Sequence, residues 1–79
     1  MTEDLSTSQM TRSERETENE GNRLIDQIEN ALAIVAVRSS DEADSLELSA
    51  DRIERAARDL TDALRELSRE RRAAAAGRS

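Results

Sequence analysis

The sequence predicts an all-α fold: a two-helix antiparallel hairpin that assembles into a four-helix bundle by coiled-coil-like packing. Three observations carry that expectation. From Ala43 the apolar residues step alternately by three and four, through Leu46, Ala50, Ile53, Ala57, Leu60 and Leu64 to Leu67. That spacing keeps one seam of a helix turned toward a partner helix. There is no proline, and the two glycines stand at Gly21 and Gly77, so nothing breaks a helix between positions 22 and 76. A polar run, Arg38-Ser39-Ser40-Asp41-Glu42, divides the stretch in two.

Residues 1–16 are polar, rich in Ser and Thr and without apolar period, and read as a disordered acidic N-terminal tail. A helical hairpin is expected over residues 17–75. Its first helix spans about 18–38, starting between Thr17 and Asn22, with an apolar face of Leu24, Ile25, Ile28, Ala31, Leu32 and Val35. Ile34 and Val37 fall off that face and imply a second neighbour. Ala33-Ile34-Val35-Ala36-Val37 is the one patch whose β-branched content also suits a buried strand. The turn is placed at about 38–42, where Ser39 and Glu42 have the spacing of a capping box, with Ser45 as a later start. The second helix is expected over about 41–75. Its outward face carries Asp51–Arg55, Glu54–Arg58, Arg55–Asp59 and Arg58–Asp62 one turn apart, each pair contributing ~0.2–0.5 kcal/mol. Ala73 to Ala76 followed by Gly77 reads as a helix end, leaving 76–79 as a flexible C-terminus.

The second helix shows more apolar surface than one partner covers. Its alanine column (Ala43, Ala50, Ala57) is flanked by Ser49, Ala56 and Ala63 rather than by charges. A stripe that broad belongs to a helix with two neighbours. The chain has no Phe, Trp or Tyr, so its core must come from aliphatic residues alone. In a lone hairpin each helix has one neighbour, and those aliphatics stay wet. A homodimer of hairpins, or a hairpin docked on another protein, is therefore expected. The expected association residues are Ile28, Leu32, Val35, Ala50, Ile53, Ala57, Leu60, Leu64 and Leu67, with Ile34, Val37 and Leu48 as a further partner surface.

Composition narrows the chemistry. Cysteine and histidine are both absent, which removes thiolate chemistry, the commonest metal ligand and the commonest general base. Glu14, Glu16, Glu18 and Glu20 alternate along the chain, and alternate helical positions point different ways, so they read as a solvated run. No catalytic, cofactor-binding or metal-binding residue is assigned, no cofactor or small-molecule substrate is expected, and the protein is read as non-enzymatic. No apolar run is long enough to span a bilayer, and the polar start is unlike a signal peptide, so no membrane partner and a cytoplasmic location are expected.

Net charge is −6 but unevenly spread. Residues 1–20 hold six acids against two arginines, and residues 65–79 hold five arginines against Glu66 and Glu70. Arg65, Arg69, Arg71 and Arg72 are the candidates for anion or nucleic-acid contacts. Against nucleic acid stand the overall negative charge, the lack of stacking aromatics and the lack of a helix-turn-helix pattern. The expected function is a helical-hairpin protein mediating self-association and protein–protein interaction. The alternative is a small regulator of a nucleic-acid machine, antitoxin-like or of phage type, acting through its basic helix end or acidic tail.

Two resemblances bear on that choice. Arg23, Ile25-Asp26-Gln27-Ile28-Glu29 and Arg38 resemble the first helix of AroQ-type chorismate mutases, which would imply an all-helical enzyme. The spacing is one residue short on both sides, a rotation of about 100° each time, and the chain has no lysine to match the family's catalytic one. Asp26 to Leu32, with Ile53-Glu54-Arg55-Ala56-Ala57-Arg58, Leu60, Leu64 and Ser68-Arg69, resemble the dimerisation and phosphotransfer hairpin of sensor histidine kinases. Asp26 stands where that family has its phosphorylated histidine. The resemblance implies an architecture, two hairpins in one four-helix bundle, and no phosphotransfer.

Overall fold

A computed structural model describes residues 10–38 and 42–78. It shows two helices, α1 (Arg12–Val37) and α2 (Ala43–Arg78), packed against each other as a hairpin. The strand alternative for residues 33–37 is not taken, since all five lie in α1. The hairpin is one helix layer deep, with a smallest principal extent of 12 Å.

Helix α1 starts earlier than the sequence reading places it, at Arg12 rather than about 18, so residues 12–16 belong to the helix and not to the tail. The cause is a capping box that lies outside the apolar period. The Thr11 N–H donates to Glu14 Oε1 at 2.8 Å, and the Glu14 N–H donates to Thr11 Oγ1 at 3.1 Å. Contacts to α2 then hold this polar end in place. The Thr17 hydroxyl donates to the Ser13 carbonyl at 2.8 Å and lies 3.4 Å from the Ala63 carbonyl across the hairpin. Gly21, expected near the helix start, sits inside α1 and faces α2.

At its other end α1 closes on Arg38, which takes the left-handed conformation (φ 58°, ψ 40°) that terminates helices and favours glycine. Ser39, the first residue of the expected Ser39–Glu42 capping box, and residues 1–9 of the expected tail lie outside the described residues; Glu42 forms a tight turn ahead of α2. Helix α2 runs on through Gly77 to Arg78, past the stop expected near 75. A glycine ends a helix when it adopts a positive φ, and no glycine here has one.

The register follows from named pairs. Thr17 lies opposite Ala63, Gly21 opposite Leu60, and Arg23 Nη1 is 3.8 Å from Asp59 Oδ2. Continued toward the turn, it sets Ile28 level with Ile53 and Val35 level with Leu46. The inner seam uses Ser13, Thr17, Gly21, Leu24, Ala31 and Ile34 of α1, all partly covered. From α2 it uses Ser49, Ile53, Ala56, Leu60, Ala63 and Leu67. Ala56 and Ser49 are the most enclosed, at 3% and 7% exposure. The helices are therefore closest where the side chains are small, and the larger aliphatics fill the gaps on either side.

Candidate interaction surface

The hairpin has two broad sides of opposite character. On α1, Ile25, Ile28, Leu32 and Val35 lie outside the seam, and at about 100° per residue they fall within about 80° of one another. On α2, Leu46, Ala50, Ala57 and Leu64 do the same, with Ile53 at the margin. Both groups are rotated in the same sense from the contact line. In an antiparallel pair that places them on one broad side. The six large residues of this side (Ile25, Ile28, Leu32, Val35, Leu46, Leu64) are between 41% and 63% exposed. Together they make an exposed row of large aliphatic side chains on one side of the hairpin, the kind of surface that marks an interaction site.

The opposite side is charged and divided. Glu16, Glu20, Asp59, Asp62 and Glu66 surround a shallow depression over Ala63, and Arg23, Arg52 and Arg55 gather nearer the turn with Gln27. Arg23 joins the two groups, with Nη1 3.5 Å from Glu20 Oε1. That oxygen is enclosed and takes no hydrogen bond, so the arginine's charge is its compensation. Among the described residues, no group of acidic side chains is arranged to hold a metal ion.

At the open end the acidic front and the basic rear meet within one chain. Arg71 Nη2 donates to Glu14 Oε2 at 2.7 Å, and Arg69 Nη2 donates to Glu66 Oε1 at 2.8 Å. The Glu14 carboxyl titrates below the ordinary glutamate value, first because the Thr11 backbone N–H donates to it and then because Arg71 does. Arg65 and Arg72 are exposed. Of the four candidate anion contacts, two already have carboxylate partners.

The expected association residues divide between the two layers. Ile28, Leu32, Val35, Ala50 and Leu64 face outward on the apolar side, as does the partly covered Ala57, with Ile53 at its edge. Leu60 and Leu67 are partly covered within the hairpin. Ile34, read from sequence as lying off the main face, belongs to the inner seam, while most of that supposed main face looks outward. Helix α2 takes its close neighbour along Ser49, Ala56 and Ala63, a row that stays small, and not along Ala43, Ala50 and Ala57, whose row continues into Leu64. Val37 and Leu48 are 59% and 49% exposed but turned about 130° or more from the centre of the apolar side. Ile25 and Leu46 extend that side and stand outside the expected association set. The signal for Ile25 was present in the steps from Ile25 through Ile28 and Leu32 to Val35.

Comparison with protein-family models, with curated proteins and with solved structures gave no match. Among the described residues, no helix is long and apolar enough to cross a membrane.

Proposed function

We propose that this protein is a non-enzymatic interaction module whose hairpins associate with one another through the apolar side, giving a four-helix bundle. The observation that supports this reading is the outward face of Ile25, Ile28, Leu32 and Val35, large aliphatics at helical spacing that the described hairpin leaves 41–63% exposed. Covering them is favourable by about 25 cal/mol per Å² of apolar area removed from water. Pairing through that side leaves the charged side outward, and its separate acidic and arginine groups suit a second, different protein. The regulator reading draws less support. Arg69 and Arg71 are engaged within the chain, so a phosphate would have to displace Glu66 and Glu14.

Sedimentation equilibrium of the full chain at low micromolar concentration tests the proposal. A folded dimer is expected, and a helical species that stays monomeric throughout that range refutes it.

A further inference from the structure

We propose that two copies pair apolar side to apolar side about a two-fold axis crossing the helices at right angles, so that their turns lie at opposite ends. This rests on the self-association reading and specifies its geometry. The first argument is self-complementarity: the exposed row of Ile25, Ile28, Leu32, Val35 and Leu46 calls for an apolar cover of similar extent, and a second copy brings an equal patch. The second is extent. The apolar side occupies the stretch nearer the turn, from Ile25 to Val35 on α1 and from Leu46 to Ala57 on α2. Toward the open end Glu14, Glu18 and Arg71 take over the same side.

A crossing axis midway between Ile28 and Leu32 overlaps the two apolar stretches and leaves both polar ends outside. It sets Ile25 against the partner's Val35, Leu46 against the partner's Ala57, and Ala50 against the partner's Ile53. On α2, then, large residues meet small ones. An axis parallel to the helices would instead lay Glu14 and Glu18 under the partner, taking two carboxylates per copy out of water against Arg71 on that side. The third argument is charge at the turn. Residues 38–47 carry Asp41, Glu42, Asp44 and Glu47 against Arg38. Turns at one end would set two such segments side by side, and turns at opposite ends separate them by more than a Debye length.

The chain has no cysteine, so Ser68→Cys on the exposed open end of α2 takes a single spin label. Ser68 is about 17 residues from the proposed axis, which at 1.5 Å per residue puts the two labels about 50 Å apart. Double electron–electron resonance on the labelled full chain is expected to read that distance, with an amplitude that falls when unlabelled chain is mixed in. A distance of about 20 Å would mean turns at the same end and overturns the geometry while self-association stands. No intermolecular distance, together with monomeric sedimentation, overturns both.

Discussion

Truncating Leu32 separates the hairpin from the assembly it is proposed to form. Leu32 is 63% exposed in the lone hairpin, so Leu32→Ala removes little intrachain packing and should change the hairpin's own stability by less than about 0.5 kcal/mol. In the pair the same side chain lies at the middle of the interface in both copies. Burying the rest of a leucine and then deleting it costs about 2 kcal/mol per copy. By symmetry the dimer loses roughly 4 kcal/mol, close to a thousandfold in dissociation constant. The assay is sedimentation equilibrium with interference optics, because the chain has no Trp or Tyr to absorb at longer wavelength. Leu24→Ala is the contrast, since Leu24 is partly covered in the inner seam and its loss should lower the stability of the hairpin itself. A Leu32→Ala protein whose dimer dissociates at the wild-type concentration would refute the assignment of the apolar side.

Two further predictions follow from local structure. A Cβ added at Gly21 would meet Leu60 Cδ1 at 4.0 Å, an ordinary contact, and the backbone there is helical. Gly21→Ala should therefore stabilise the hairpin by about 0.5–1 kcal/mol through helix propensity and a less flexible unfolded chain, read as a higher thermal midpoint by circular dichroism. Glu14 titrates below the ordinary glutamate value of 4.5. Its contribution to stability is therefore fully present above that value and is lost as pH falls through the lowered one. In acid titrations the stability difference between wild type and Glu14→Gln should shrink below pH 4.5. A difference constant into strong acid contradicts the cap and the Arg71 contact.

Helix was legible in the sequence because its signals are local: no proline, a sustained three-four step, and a polar break near residue 40. The Thr11–Glu14 cap is local too, and Thr-x-x-Glu is its known signature. It was missed because residues 12–20 lack the apolar period on which the helix was traced. What stabilises that segment is contact with α2, through Thr17 with Ala63 and Glu14 with Arg71, and those partners are 46 and 57 residues away. Composition shows an acidic front and a basic rear but not that Glu14 of the one pairs with Arg71 of the other within one hairpin. The antiparallel register decides that.

Sequence alone determined that this chain forms two amphipathic helices with more aliphatic surface than a single contact covers, because period and composition are properties of each helix by itself. Only the tertiary structure decided which stripe turns inward. Two helices settle where their backbones come closest, and the row through Ser49, Ala56 and Ala63 permits that approach where the row from Ala43 is interrupted by Leu64. The larger residues around Leu32 are left facing outward.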